Sequence, residues 1–183
     1  YTTGLMQIDA HELYALVDIS QAMLEDSAFD LESEMSEEFG TQFAKAEGTA
    51  FVSGNSVGRP QGFTDTTAGV GTTNSGSGTA LTANGLVDLT MAIKSDYMAN
   101  ATFVMNRATF ADVLKLEDTE GQKIFVNAMS YVGGTPATIL GKPYILAEDM
   151  PDVGGSAKPI AYGDFSRAYT IVDRVNLSVM RDP

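Results

Sequence analysis

His11 is the only histidine of the chain and stands two residues after Asp9. In an extended segment that spacing puts both side chains on one side. A closed metal site takes at least three protein ligands, so the pair reads as a solvated strand face. A hydrolytic triad needs a histidine or lysine base beside its nucleophile, and a histidine in an N-terminal arm supplies none. The adjacent carboxylates Glu117-Asp118 and Glu148-Asp149 read as solvated turn residues, since no tryptophan accompanies them as in a sugar-binding site. Gly69-Val70-Gly71-Thr72-Thr73-Asn74 lacks the third glycine of a dinucleotide fingerprint, the strand before it and the helix after it. Lys142 is followed by Pro143 and not by Ser or Thr, so it is no phosphate-loop lysine. Arg167, Arg174 and Arg181 stand near Asp164, Asp173 and Asp182. They are expected to form ion pairs within the chain or across subunits, not an anion site. The triplets at Asn100 and Asn176 match the glycosylation pattern but need a secretory context. The pattern predicts no enzyme, no cofactor and no metal.

The elements that carry these residues are dominated by one long acidic helix, predicted over Ala28 to Ser53. At 100° per residue Ala28, Met35, Phe39, Phe43, Ala46 and Ala50 share a face, flanked by Phe29 and Leu31. Asp30, Glu34, Glu37, Thr41 and Lys45 lie opposite. Asp26 or Ser27 can cap its start, and Gly54-Asn55 reads as a left-handed stop. Gly40 costs about 1 kcal/mol relative to alanine, yet the apolar face keeps its phase across it, so a continuous helix is expected. Before it, Tyr1 to Ile19 reads as an arm that becomes a strand, with Leu13, Ala15 and Val17 on one face and Glu12, Tyr14, Leu16 and Asp18 on the other. Ser20 to Asp26 reads as a short helical turn.

After the long helix, Gly54 to Phe63 is turn-rich, and Thr64 to Ala80 is a Thr/Gly/Ser loop expected to be mobile. From Thr82 helices and strands alternate. Thr82 caps a helix with Leu86, Leu89 and Ile93 inward, and Ala101 to Met105 is an apolar strand. Asn106 caps a helix with Phe110, Val113 and Leu114 inward, and Ile124-Phe125 returns to the core after a turn. Ala137 to Leu140 and Tyr144 to Leu146 are expected to pair around Gly141-Lys142-Pro143. Pro159 to Tyr162, Ala168 to Val172 and Val175 to Met180 are expected as closing strands. Helices mixed with antiparallel strands predict an α+β fold.

With 183 residues the chain can bury one core, and it contains no apolar run long enough to cross a bilayer. It has no cysteine, which excludes a disulfide framework and Cys-type zinc sites. A formal charge of −13 argues against a surface that grips nucleic acid and makes copies repel at low salt. A start at Tyr1 without an initiator methionine is expected of a processed or trimmed piece of a longer protein.

Several short strings then become informative together. Tyr97-Met98-Ala99-Asn100-Ala101, Val104-Met105-Asn106-Arg107-Ala108-Thr109, Leu116-Glu117-Asp118 and Gly121-Gln122 come first. Leu140-Gly141-Lys142-Pro143 and Glu148-Asp149-Met150-Pro151 follow, then Tyr162-Gly163-Asp164-Phe165-Ser166-Arg167-Ala168-Tyr169, Ile171-Val172-Asp173-Arg174 and Arg181-Asp182-Pro183. Upstream, Asp26-Ser27-Ala28, the long helix and Phe51 to Phe63 keep the same order. In order and spacing this resembles the major capsid proteins of tailed phages with the HK97 fold.

The resemblance implies a structural subunit of an icosahedral phage or prophage head that self-assembles into pentamers and hexamers around double-stranded DNA. Residues 1–19 would be the returning strand of the extended E-loop. Residues 20–81 would be part of the P-domain with its spine helix, and residues 82–183 mostly the A-domain, ending on strands that lead back to the P-domain. The N-terminal arm and C-terminal strands of a whole subunit would be missing, and this chain alone would not build closed shells. Leu13 and Tyr14 on the E-loop strand, Gly40 in the bending spine helix, and Arg167, Arg174 and Arg181 become candidate assembly or flexing positions. Implied partners are copies of the chain, portal, scaffold, protease and other head proteins, and packaged DNA without sequence-specific binding, but no membrane. The implied location is the virion, with assembly in the host cytoplasm. In members that crosslink covalently the lysine lies on the E-loop, and residues 1–19 contain none. An encapsulin-like compartment shell with protein cargo is the alternative within this fold. An acidic α+β enzyme or ligand-binding domain is the alternative outside it.

Overall fold

The computed structural model describes residues 8–20, 30–125 and 138–174. It divides into two compact units, one of residues 1–62 with 171–183 and one of residues 63–170. The expected helical turn after Ser20, the caps Asp26 and Ser27, the strand from Val175 to Met180, and Arg181 lie outside the described residues.

In the first unit, helix α1 runs unbroken from Leu31 to Ser53, 23 residues and so about 35 Å. Its cap is Asp30, whose carboxylate accepts the Ser33 N–H at 3.3 Å. That contact satisfies one of the four amides a helix start leaves unpaired. Gly40 sits inside the helix, and a Cβ there would meet nothing within 4 Å. Met35, Phe39, Phe43 and Ala50 are half-buried as the periodicity requires, but Ala46 is exposed and the buried residues are Leu31 and Val52, near the two ends. Phe39 and Phe43, one turn apart, stack on each other with centroids 6.3 Å apart.

The helix stop differs from expectation. Gly54 is extended, with φ −62° and ψ 149°, not left-handed. Its glycine is required by proximity, because a Cβ would fall 2.0 Å from the Pro60 carbonyl oxygen and 2.4 Å from that of Ala50. The chain folds into a hook held by Gly62 N–H donating to the Gly54 carbonyl at 2.9 Å and by an Asn55–Gln61 bridge.

The expected strand at Leu13 to Val17 does not form. Residues 8–20 carry no sheet pairing, and Tyr14 and Leu16 are 88% and 85% exposed. Alternation alone makes no strand, because a strand needs a partner to receive its ladder bonds.

The second unit holds the core. Helix α2 (Ala83–Met91) starts where Thr82 Oγ1 accepts the Gly85 N–H at 3.0 Å. Strand β1 (Thr102–Met105) leads into helix α3 (Arg107–Lys115), followed by β2 (Tyr144–Leu146), β3 (Ile160–Gly163) and the short helix α4 (Phe165–Ala168). The sheet order is β2-β1-β3. β1 pairs with β3 antiparallel, Phe103 opposite Tyr162, and with β2 parallel, Phe103 opposite Tyr144. The expected antiparallel pairing of Ala137–Leu140 with Tyr144–Leu146 is therefore corrected. Among the described residues only Ile139 and Lys142 bridge across the turn, and the strand that follows pairs in parallel with β1. β1 offers two ladder edges and a buried surface, which outweigh what a short exposed hairpin supplies. Likewise Ala168 closes α4 and residues 169–172 form no strand.

Leu86, Phe103, Met105, Val113, Phe125 and Ile139 form the buried cluster, with Phe110, Leu114, Tyr144 and Tyr162 packed against it. Ile124 faces out, 44% exposed, so only Phe125 of that pair returns to the core. The Thr/Gly/Ser loop is tied down by hydrogen bonds at its C-terminal end. Ser75 Oγ donates to the Ala80 carbonyl at 2.9 Å, and Thr82 Oγ1 donates to the Ser75 carbonyl. Ser75 backbone sits so close to α2 that a Cβ on Gly85 would lie 2.5 Å from its Cα.

Candidate functional site

Two of the motif strings that fall in the second unit are joined by one side chain. Asn106 is 4% exposed. Its Oδ1 accepts the Thr109 N–H at 2.6 Å, which caps α3 as expected. The sequence did not show that its Nδ2 also donates to the Met150 carbonyl at 2.9 Å and to Asp152 at 2.6 Å. One buried amide thus joins the start of α3 to the Glu148-Asp149-Met150-Pro151 string 44 residues on. Beside it Arg107 Nε lies 3.3 Å from Glu148. Both side chains of that pair are mostly exposed, 77% and 67%, so the pair stabilises little. Glu117 pairs with Lys123, and Asp118 accepts the Thr119 N–H at 2.7 Å. Glu117, Asp118 and Glu148 therefore close turns or ion pairs and are not merely solvated.

The Leu140-Gly141-Lys142-Pro143 string is a reversal in which Ile139 and Lys142 exchange backbone bonds of 2.9 Å. Leu140 and Gly141 have φ of 50° and 75°, positive at both central positions as a type I′ turn requires. Lys142 Nζ donates to the Met98 carbonyl, which makes it a structural lysine. Phe103 N–H donates to the Pro143 carbonyl at 3.0 Å, tying this turn to β1.

In the Tyr162-to-Tyr169 string, Tyr162 packs on Phe103 with centroids 4.5 Å apart. Asp164 is buried and accepts both the Ser166 N–H at 3.2 Å and the Ser166 hydroxyl at 2.6 Å. It caps α4 and does not pair with Arg167, which corrects the expected ion pair. Phe165 and Tyr169 meet the edge of Phe63 at 5.5 and 6.2 Å. Burial raises the pKa of both Tyr162 and Tyr169, because the phenolate is poorly solvated there. The Tyr162 hydroxyl is buried without a hydrogen-bond partner. Tyr162 also lines a cleft of about 230 Å³ with Val87, Thr90, Met91, Met98, Leu140 and Lys142. That lining is apolar apart from Lys142, the Tyr162 hydroxyl and the Thr90 hydroxyl, which donates to the Val87 carbonyl at 2.7 Å, and nothing in it converges as a catalytic set does.

Leu13 and Tyr14 are exposed on the arm, 50% and 88%. Gly40 lies within α1, Arg167 is exposed in the last turn of α4, and Arg174 is exposed. Among the described residues neither arginine is ion-paired, and no group of three or more His, Cys, Asp or Glu is placed to hold a metal. No helix of the described residues is long and apolar enough to cross a membrane.

The fold and its buried motif cluster define a mixed α+β scaffold. The chain is similar to the capsid of an empty GTA particle computed with C5 symmetry, at 37% identity and a TM-score of 0.73, covering 85% of this chain and 56% of that one. The capsid of the native GTA particle, also computed with C5 symmetry, matches at 38% identity and a TM-score of 0.73, with the same shares covered. The sequence model of the phage capsid family matches residues 2–183. The chain belongs to the phage capsid family. No curated protein matches it. It spans a little over half the length of the capsid chains it matches, 56%. Its family and its neighbours are those of capsid proteins.

Proposed function

We propose that the full-length protein is a structural subunit of an icosahedral phage head, assembling as pentamers and hexamers around double-stranded DNA. The observation that carries this reading is the match to two capsid structures at 37% and 38% identity, each with a TM-score of 0.73. In this reading residues 1–19 are the returning E-loop strand, residues 20–81 belong to the P-domain with α1 as its spine, and residues 82–183 are mostly the A-domain. The compact unit of residues 63–170, with its own sheet and core, supports a separately folded domain in this part of the chain. Portal, scaffold and protease are the further partners such a head requires, and assembly takes place in the host cytoplasm before the shell becomes part of the virion. A formal charge of −13 suits a wall along which DNA slides without sticking.

The test is electron microscopy of the full-length protein expressed with its neighbouring genes, with the particle contents analysed. Regular closed particles filled with DNA are expected. Closed shells holding protein and no DNA would favour a compartment shell, and persistent absence of particles would remove the shell reading.

A further inference from the structure

The hook after α1 is unusually well determined for a segment that buries so little. Gly54 and Gly62 approach neighbouring backbone so closely that no Cβ fits at either position. The Asn55–Gln61 bridge and the 2.9 Å bond from Gly62 N–H to Gly54 close its base. Asn55 Oδ1 accepts the Val57 N–H at 3.3 Å, which fixes the first half of its tip. Ser56 holds φ at 62° and Gly58 at 66°, and a left-handed serine is uncommon enough to require a reason. The tip presents Val57, 74% exposed, and Arg59, which is exposed and has no ion-pair partner among the described residues.

Charge identifies the partner. The chain has 24 Asp and Glu against 11 Lys and Arg, so two copies repel unless the scarce cations sit where copies meet. A pre-ordered cation beside an exposed apolar side chain loses little freedom on contact, which favours it as an interface element. We propose that the hook of residues 54–62 docks on a second copy of this chain, Arg59 pairing with that copy's carboxylates and Val57 packing beside them. The proposal rests on the shell-subunit reading.

The experiment uses the full-length protein. An Arg59→Lys variant is assembled from isotope-labelled and unlabelled subunits and treated with a zero-length carbodiimide, which joins amines to carboxylates in contact. Mass spectrometry should find position 59 joined to Asp or Glu in mixed-label pairs from particles and not from dispersed subunits. Arg59→Glu should lower particle yield about tenfold, roughly 1.4 kcal/mol in association, with the melting of dispersed subunits unchanged. Lys45→Glu, the same charge change on the exposed side of α1, should leave yield as in the unaltered protein. Absence of mixed-label links, normal assembly of Arg59→Glu, or equal loss in both charge reversals would overturn the hook's role while leaving the shell reading intact. Failure of the unaltered protein to assemble would remove both.

Discussion

Gly40 and Tyr162 show how differently a single residue can be priced by its surroundings. At Gly40 a methyl group meets open space, so Gly40→Ala should fit and stabilise the chain by about 0.5–1 kcal/mol through helix propensity. Chemical denaturation measures this gain. If the spine helix bends during shell maturation, the same substitution in full-length heads should slow expansion, which time-resolved scattering would detect. At Tyr162 the buried hydroxyl lacks a partner, so Tyr162→Phe should be neutral or stabilising by up to about 1 kcal/mol. The raised pKa gives a second readout. The unfolded phenol ionises near its ordinary value of 10.0, while the folded one keeps its proton to higher pH. The associated stability is therefore complete below pH 10 and lost as pH rises from there through the folded pKa. Urea midpoints should fall less steeply above pH 10 in Tyr162→Phe, although Tyr169 retains its own share.

The elements that could be read from sequence were those whose signals are local. α1 kept its phase across Gly40, and Thr82 and Asn106 cap helices because a short polar side chain before an apolar periodic run has few other uses. The parallel pairing of β1 with β2 was not readable, since it depends on a partner about 40 residues away and on which edge of β1 is free. The stop at Gly54 differs from its expected left-handed form for a related reason. Glycine marks both left-handed residues and close backbone approaches, and only the fold tells the two apart. Asn106 gave away its cap and hid its second role. Asn106→Ala should remove the cap and strand the buried Met150 carbonyl, costing about 2–4 kcal/mol. Arg107→Ala next to it breaks only an exposed pair and should cost under about 1 kcal/mol. Parallel thermal melts of the two variants check that ordering.

At the scale of the whole molecule, several motif strings of the unit of residues 63–170 are tied together through β1 and Asn106, while Leu13, Tyr14, Arg167 and Arg174 are exposed. The two groups answer different demands, since a subunit must fold before it can meet its neighbours. The 183-residue chain alone should form no closed shells, because it spans only 56% of the capsid chains it matches; particles in micrographs of this chain would contradict that. The loop pinned at Ser75 has a practical use. Its stretch around Gly71 is exposed, and even a side chain there would touch nothing, while the pins at Ser75 and Thr82 lie downstream. A tag of ten or so residues spliced in after Gly71 lengthens a loop that is already long and should cost no more than about 0.6 kcal/mol, readable as a small shift in melting. In a shell of the proposed kind, that position would offer one insertion site per copy.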